Sequence, residues 1–340
     1  MPMMKYRQTP CVPLPLAGVS RRLTPVGYAL IALCALLSAC ALIGARVIHE
    51  TPAMFGTLVV TDEGDNLRSM RFGRSGVTQS TVRVGDPGYV HHGYTKLALA
   101  GLALLPVRGA AAMGVPATAA VPATAQAGTP PAPRRVLIVG LGGGTLPVFL
   151  HRHHPDLLID VVDIDPAVII VAKQFFGFAE DARMKAHAGD GRAFVERAPR
   201  GRYDLIILDA FGSSEVPSHL TTREFLHAVR AALAPGGVVV SNIWRRGYNH
   251  LYDRMLRTHA DVFAELHVLE SAREVNHLVF ALPQAGKLSR EQFALAAQRV
   301  ALQGRYRFDL GQLVTQSFVA GPHAHSQAEV LRDVAVKQAP

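Results

Sequence analysis

The sequence VLIVGLGGGTLP at residues 136–147 combines an apolar run with a glycine-rich turn. Its first four residues are apolar and three of them are β-branched, which is typical of a buried strand. The glycines that follow allow a sharp turn and a close approach of the backbone to a ligand. A helix that opens after such a turn directs its free amide groups at that ligand. Glycine-rich turns also serve packing alone, but the position between a strand and a helix favours a nucleotide-binding turn.

Strands and helices alternate after this turn. Further strands are predicted at 157–164, 184–188, 203–209 and 237–243, with helices at 145–154, 166–176, 192–197 and 221–233. Continuous apolar strands separated by helices indicate a parallel sheet that is covered on both faces. Residues 265–271 and 275–283 lie too close in sequence for a helical crossover, so we expect them to form an antiparallel pair at the sheet edge. A further helix is predicted at 290–302.

The preceding part of the chain has a different pattern. Residues 54–84 predict a small antiparallel meander, and residues 89–105 predict a helix. Residues 107–133 consist almost entirely of Ala, Pro, Thr, Gly and Val, which predicts a flexible insert. The chain therefore divides into a basic tail with a membrane anchor or signal (1–48), a β-hairpin domain with a helix (49–106), an Ala/Pro-rich linker (107–133), a nucleoside-binding domain (134–285) and a C-terminal helix and tail (286–340).

The composition excludes several classes of protein. The chain has 340 residues, of which 49% are hydrophobic and 18% charged, so it can form a sizeable folded core. Its three cysteines, Cys11, Cys34 and Cys40, all precede residue 41, which leaves no disulfide, cysteine-based zinc site or cysteine nucleophile for the rest of the chain. The formal net charge is +9, but much of the basic excess lies near the N-terminus, outside the predicted core. We therefore expect no nucleic-acid partner.

An uncharged apolar run extends from Pro25 to Ala45. As a helix it would span about 30 Å, the thickness of a bilayer core. Basic residues precede the run, and the positive-inside rule then places the N-terminus in the cytoplasm and the folded part in the periplasm. We expect an uncleaved single-pass anchor in the inner membrane. The sequence at 37–40 also resembles a bacterial lipoprotein processing box, so lipidation at Cys40 remains an alternative.

Acidic residues follow several of the predicted strands. Asp163 ends the second strand, 23 residues after Gly140, close to the ~20-residue spacing at which an acid binds ribose hydroxyls in doubly wound folds. Asp190 follows the third strand, where it could accept a hydrogen bond from an exocyclic amine such as that of adenine, and Asp209 closes the fourth. Asp165 is instead predicted to cap the helix that follows it. Because the carboxyl ends of parallel strands meet at one edge, we expect these groups to line one crevice.

Four stretches, VLIVGLGGGTLP, VVDIDP, GDGRAF and YDLIILDAFGSSEVPSHLTTREFL, resemble the spermidine synthase (polyamine aminopropyltransferase) family within the class I S-adenosylmethionine-dependent methyltransferase fold. The resemblance covers most of residues 49–283, including a β-rich N-terminal part that ordinary methyltransferases lack. It implies an α/β fold with a Rossmann-like methyltransferase sheet, parallel with an antiparallel edge pair, preceded by a small antiparallel β domain. The membrane helix predicted from the apolar run precedes both. The resemblance also implies a homodimer.

The resemblance further implies roles for individual residues, all at the predicted crevice. It assigns the nucleoside-binding turn to Gly140, Gly142 and Gly144, the ribose to Asp163, the adenine to Asp190, the catalytic base to Asp209, and the pocket wall from the N-terminal domain to Gln79 and Tyr94.

Three positions depart from the family's pattern. Gly143 stands where the family has an acid in its glycine turn, and Gly212 stands where it often has a second acid after Asp209. The family's Tyr-His-Glu is Tyr-Thr-Lys at residues 94–96. A diamine carries two positive charges and needs nearby carboxylates to offset its desolvation. The nucleoside site is therefore better preserved than the amine site.

The resemblance predicts a transferase that moves an aminopropyl group from decarboxylated S-adenosylmethionine to a small-molecule amine acceptor, with Asp209 as the base. Methyl transfer from S-adenosylmethionine is the main alternative, because an acid in place of Gly143 would repel the carboxylate of that donor. A non-catalytic, membrane-tethered nucleoside-binding domain is the third interpretation. No metal is expected, since His151, His153 and His154 end a predicted helix without a carboxylate-rich ligand set.

Overall fold

The structure is a computed structural model that describes residues 45–106, 132–211, 216–272, 274–286, 288–321 and 327–333. All but the last residue of the predicted membrane segment Pro25–Ala45 lies outside these ranges, as do the three cysteines, Gly212 and nearly all of the insert 107–133. Within the described ranges, no helix has both the length and the apolar character that a bilayer crossing requires. These ranges all belong to one compact unit, Ala45–Pro340.

The N-terminal sheet is an antiparallel meander of four strands. They are β1 (Arg46–Ala53), β2 (Gly56–Gly64), β3 (Leu67–Phe72) and β4 (Thr78–Arg83), paired in chain order. The last three confirm the predicted meander. The sequence pattern does not predict β1, because this edge strand has no fully buried side chain and therefore little apolar alternation. It begins inside the segment 1–48 assigned to the anchor, and Met54 and Phe55, expected to start a strand, form the turn of its hairpin.

The second sheet has eight strands. In chain order they are β5 (Arg134–Val139), β6 (Leu157–Asp163), β7 (Met184–Ala188), β8 (Tyr203–Leu208), β9 (Leu233–Trp244), β10 (Glu265–Glu270), β11 (Asn276–Leu282) and β12 (Phe318–Val319). Their spatial order is β12-β10-β11-β9-β8-β5-β6-β7. The strands β5 to β9 pair in parallel and β10 pairs with β11 in antiparallel, as predicted. The expectation that this pair forms the sheet edge is wrong, since β12 pairs with the outer side of β10.

The described residues form eight α-helices and two 3₁₀ helices. The α-helices are α1 (Gly93–Ala98), α2 (Thr145–His153), α3 (Pro166–Phe175), α4 (Gly191–Arg197), α5 (Arg223–Ala232), α6 (Tyr252–Val262), α7 (Arg290–Gln303) and α8 (Leu310–Ser317), and the 3₁₀ helices are Leu99–Leu104 and Ser218–Leu220. The helix predicted at 89–105 is therefore short and continues as a 3₁₀ helix. The sequence pattern does not predict α6, because the buried face of this helix includes Thr258 and His259, which obscure the apolar period.

The two sheets share one hydrophobic core. Leu58 and Met70 of the N-terminal sheet belong to the same buried cluster as Val136 and Ile138 of β5. Burial of an aliphatic side chain of this size contributes about 1.5–3 kcal/mol relative to exposure. The predicted domains 49–106 and 134–285 therefore form one packed unit, which fixes the N-terminal sheet next to the carboxyl ends of the parallel strands.

Asp165 adds a polar link between the two sheets. Its Oδ1 accepts the amide of Ala167 at 2.9 Å, which confirms the predicted cap of α3. Its Oδ2 accepts the amide of Met54, at the tip of the β1–β2 hairpin, at 2.6 Å. Asp165 is only 3% exposed, so both hydrogen bonds are shielded from water and each stabilises the fold.

The variant Asp165→Ala should lower the free energy of unfolding by about 2–3 kcal/mol, because it removes a helix cap and a hydrogen bond to a charged acceptor. The matched control is Asp309→Ala, which removes an exposed cap of α8 that accepts the Gln312 amide at 2.9 Å. The control should lose only about 1 kcal/mol. Urea denaturation measures both, and equal losses would show that the bond to Met54 contributes nothing.

Candidate active site

A cavity of about 270 Å³ opens at the carboxyl ends of the parallel strands. It lies beside β5, which pairs with β6 on one side and β8 on the other, so that the strand order reverses there. Ligands of doubly wound sheets bind at such a point. Of the residues predicted for the site, those that line the cavity are Gln79, Tyr94, Gly140, Gly142, Asp163, Asp190 and Asp209.

The turn after β5 needs glycine for two different reasons. Gly140 has a φ of +100°, and a Cβ there would lie 2.3 Å from the backbone oxygen of Asp209. Glycine therefore lets the turn pack against the end of β8. Gly144 precedes α2 with a φ of +76°, and a Cβ there would lie 3.1 Å from Phe178. Gly144 lies outside the cavity lining, and it turns the chain from the predicted nucleoside-binding turn into the helix.

Asp163 connects the glycine turn to the start of α3. Its Oδ2 accepts the amide of Leu141 at 2.8 Å, and its Oδ1 accepts the amide of Asp165 at 3.0 Å. Burial raises the pKa of Asp163, although these amides act in the opposite direction. Each carboxylate oxygen keeps a second lone pair that can accept a hydrogen bond from a hydroxyl. The position and the chemistry fit a ribose.

Asp209 follows β8 and lines the same cavity. Asn242 of β9 donates its Nδ2 to Asp209 Oδ1 at 2.7 Å, and Asn276 of β11 donates in turn to Asn242 Oδ1 at 3.0 Å. Burial raises the pKa of Asp209 to about 6, although the bond from Asn242 and the charge of His92 oppose this. A carboxylate with a pKa near neutrality can accept a proton from a substrate and return it to water.

Asp190 differs from Asp163 because one of its two engaged oxygens pairs with a side chain. Its Oδ1 caps α4 by accepting the Ala193 amide at 2.8 Å, and its Oδ2 pairs with His219 Nε2 at 2.8 Å. Burial acts to raise the pKa of Asp190, but the bonds from Ala193 and His219 outweigh it and lower the pKa. An adenine amine would therefore meet an Asp190–His219 pair. The sequence assigned no role to His219, which also lines the cavity.

The N-terminal sheet and α1 contribute Gln79 and Tyr94. The side-chain amide of Gln79 makes one long hydrogen bond, 3.4 Å to the carbonyl of Val77. Burial raises the pKa of Tyr94, and the negative charge of Asp209 raises it further. The phenol therefore stays protonated and can donate a hydrogen bond beside Asp209. Both residues lie on the cavity wall, where the resemblance predicts them.

The position of Gly143 has no room for a side chain. A Cβ there would lie 2.8 Å from both Ser80 Oγ and Phe176 Cδ1. Ser80 is buried, and its hydroxyl lies 3.4 Å from the hydroxyl of Thr145. The acid that the family's turn carries would therefore require both neighbours to move. A neutral hydroxyl and an aromatic ring take its place beside the turn.

Phe211 and Trp244 form an aromatic pair next to Asp209. Their ring centroids are 5.4 Å apart and their planes differ by 21°, a stacked arrangement. Phe211 lines the cavity, and Trp244 is the only tryptophan of the chain. We therefore expect the fluorescence of Trp244 to change when a ligand contacts Phe211 in the cavity.

Among the described residues, no group of three or more His, Cys, Asp or Glu side chains could hold a metal ion. The histidines at the end of α2 have separate partners. His151 contacts a carboxylate, His153 a backbone carbonyl and His154 a tyrosine hydroxyl.

The parallel sheet, the glycine turn and the cavity at the strand reversal define a Rossmann-like methyltransferase fold. Residues 119–269 match the family described as "Spermine/spermidine synthase domain". The polyamine aminopropyltransferase of Vibrio vulnificus (strain CMCP6) is 30% identical over 285 residues, which are 81% of this chain and 86% of that protein. The chain belongs to the polyamine aminopropyltransferase (spermine/spermidine synthase) family, as its motifs predict.

Two solved structures place the fold among its relatives. A probable spermidine synthase from Corynebacterium glutamicum ATCC 13032 superposes with a TM-score of 0.63 at 20% identity, covering 86% of this chain and 99% of that one. Human methyltransferase-like protein 13, solved in complex with SAH, has a TM-score of 0.51 at 31% identity, covering 63% of this chain and 93% of that one. The fold is therefore shared with both aminopropyl and methyl transferases.

Proposed function

We propose that this chain transfers an aminopropyl group from decarboxylated S-adenosylmethionine to an amine acceptor of the polyamine class, with Asp209 as the base. The observation that carries the proposal is that Asp209 and Asp163 line one cavity together with the glycine turn at Gly140. Membership of the polyamine aminopropyltransferase family supports the same reaction.

In the proposed complex the donor lies along the carboxyl edge of the sheet. Asp163 accepts hydrogen bonds from the ribose, and the Asp190–His219 pair faces the adenine. The positive sulfonium then lies towards Asp209, with the Tyr94 phenol beside it. Because the sulfonium is already activated as a leaving group, the protein needs only to align the nucleophile and to remove its proton.

The reaction balances with one base. A protonated amine has no lone pair, so Asp209 first accepts a proton from the ammonium group of the acceptor, directly or through water. The freed lone pair attacks the aminopropyl carbon next to the sulfonium. The bond between that carbon and sulfur breaks, and its electrons remain on sulfur. The products are an aminopropylated ammonium ion and the neutral thioether 5′-methylthioadenosine.

The rate of transfer should rise as the pH increases through about 6, the pKa to which burial raises Asp209. Below that pH the carboxyl is protonated and cannot accept a proton, and above it the carboxylate is available. A profile of kcat/KM between pH 5 and 8 measures this limb. A flat profile across pH 5 to 7 would contradict the assignment of Asp209 as the base.

Methyl transfer from S-adenosylmethionine is the second candidate, and one observation favours it. The surroundings of Gly143 are neutral, with Ser80, which lines the cavity, and Phe176 where the family's acid would lie. These neutral groups do not repel the carboxylate of S-adenosylmethionine and offer no carboxylate to an aminopropyl ammonium group. The relative at 31% identity is named as a methyltransferase.

Product analysis with both donors tests the proposal. The purified full chain is incubated with either decarboxylated or intact S-adenosylmethionine and a panel of mono-, di- and triamines, and products are identified by mass spectrometry. The proposal predicts 5′-methylthioadenosine and an aminopropylated amine with the first donor. S-adenosylhomocysteine and a methylated product with the second donor would favour the second candidate. Binding of nucleoside without turnover of either donor would contradict both and leave a non-catalytic binding domain.

A further inference from the structure

The connection between β10 and β11 reaches the site through one carboxylate, that of Glu274. Its Oε1 accepts the amide of Gly93 at 3.1 Å, and its Oε2 accepts the amide of Tyr94 at 2.8 Å and the hydroxyl of Ser271 at 2.7 Å. The Nδ1 of His92 lies 3.2 Å from Oε1. Four polar groups thus converge on one carboxylate and fix the start of α1 against the second sheet.

Glu274 is negatively charged in this arrangement. Burial acts to raise the pKa of Glu274, but the bonds from His92, Ser271 and Tyr94 outweigh it and lower the pKa to about 2. The negative charge strengthens each of these hydrogen bonds. Glu274 also forms an ion pair with His92 when the histidine is protonated.

The same hairpin reaches Asp209 by a second route. Asn276 lies two residues after Glu274 and donates to Asn242, which donates to Asp209. One short segment thus fixes both the base and the backbone of Tyr94 on the facing wall. The hairpin therefore positions residues of the site. The relative placement of a base and its neighbours governs the rate of proton transfer.

His92 lies between these groups. Its ring centroid is 5.6 Å from that of Tyr94, and its charge acts on Asp209. Within the described residues, its Nε2 is buried without a hydrogen-bond partner. A buried polar nitrogen is costly where an aromatic hydrocarbon would pack equally well. Glu274 therefore supplies the hydrogen-bond partner of the other ring nitrogen, Nδ1.

On the basis of the proposed function, we propose that His92 and Glu274 are positioning residues for the transfer reaction. Glu274 holds the backbone of Tyr94 and the ring of His92 in place at the cavity that Asp209 lines. Neither of these two described residues lines the cavity, so both act through Tyr94 and Asp209.

Among the described residues, the other ionisable groups near His92 and Glu274 have different contacts. Among the described residues, β9 contributes only the neutral amide of Asn242 next to Asp209. The ring of His91 lies 5.0 Å from that of His92 but faces Tyr89, whose hydroxyl is 3.0 Å from His91 Nδ1. Lys96 extends over the ring of Phe308, 5.5 Å from its centroid. His92 therefore remains the cationic group that acts on Asp209.

The test compares pH profiles of kcat/KM for the wild-type chain, His92→Gln and Glu274→Gln. Loss of the His92 charge removes an influence that lowers the pKa of Asp209, so the acid limb should move to higher pH by about one unit, a roughly tenfold loss of rate on that limb. Glu274→Gln should move the limb in the same direction and also lower kcat above it, because Tyr94 loses its anchor. The KM for the donor should not change, since the donor's ribose lies at Asp163.

The matched control is Glu270→Gln, which removes a more exposed carboxylate from the same hairpin, 3.6 Å from His277. It should reproduce the wild-type profile. If both His92→Gln and Glu274→Gln kept the acid limb of an active wild-type chain, this inference would be overturned. The proposed function would remain intact. A wild-type chain without transfer activity would instead overturn both. Thermal unfolding of each variant separates a fold defect from a shifted limb, and His92→Gln decides the outcome if Glu274→Gln does not fold.

Discussion

Asp209→Asn should reduce the rate of group transfer by about 10²–10⁴-fold and leave the affinity for 5′-methylthioadenosine unchanged. Asparagine has the same shape as aspartate and keeps an oxygen that can accept a hydrogen bond from Asn242. In the wild type, Asn242 donates to Asp209 at 2.7 Å. Asparagine cannot accept a proton from the acceptor amine. Mass spectrometry of the products measures the rate, and quenching of Trp244 fluorescence measures nucleoside affinity in the same samples.

The control for this prediction is Asp204→Asn. Asp204 lies near the start of β8, at the opposite end of the strand from Asp209, and accepts the amide of Arg135 at 2.7 Å. An amide oxygen can accept that bond equally well, so activity should stay at the wild-type level. If Asp209→Asn turned over as fast as this control, another group would have to be the base.

Asp163→Asn should weaken nucleoside binding by roughly 30- to 200-fold, the equivalent of about 2–3 kcal/mol. Asp163 presents two oxygens and accepts the amides of Leu141 and Asp165. An asparagine would place an NH₂ group against one of these donors or against a ribose hydroxyl, so a hydrogen bond to a charged acceptor is lost in either orientation. Once the site is saturated, kcat should remain near the wild-type value.

The matched control is Asp160→Asn on the same strand. Asp160 is partly buried and bonded to Tyr203 and His187, but it does not line the cavity. The Asp160→Asn variant should bind nucleoside with the same affinity as the wild type. If Asp163→Asn bound nucleoside as tightly as Asp160→Asn, Asp163 would not be the residue that binds the ribose, whatever the effect of the variant on turnover.

The parts of the fold that follow from local sequence are those whose signal is itself local. The apolar runs of β5, β6, β8 and β9 mark strands that are buried on both faces, and acids directly after them lie at the carboxyl edge. The cap formed by Asp165 follows from one residue and the helix after it. The predicted positions of Asp163 and Asp209 on one cavity follow from the same rule, because parallel strands end on the same side.

The parts that escape sequence analysis depend on contacts between distant residues. β12 has two residues, and β1 is half-buried at an edge, so neither has a period to detect. His92 and Glu274 are 182 positions apart, and no spacing rule joins them. A weak signal existed for Asn242, a polar residue within the apolar run of β9. Gly144 looks like the other glycines of its turn in sequence, and only the structure places it against Phe178.

A crystal structure of the chain with bound 5′-methylthioadenosine would show whether Asp163 and Asp209 act on one bound nucleoside. We expect the nucleoside in the cavity at the end of β5, with ribose oxygens within hydrogen-bond distance of Asp163 and the thioether sulfur on the side of Asp209. A nucleoside bound at another surface, or one in this cavity with its sulfur turned away from Asp209, would contradict this expectation.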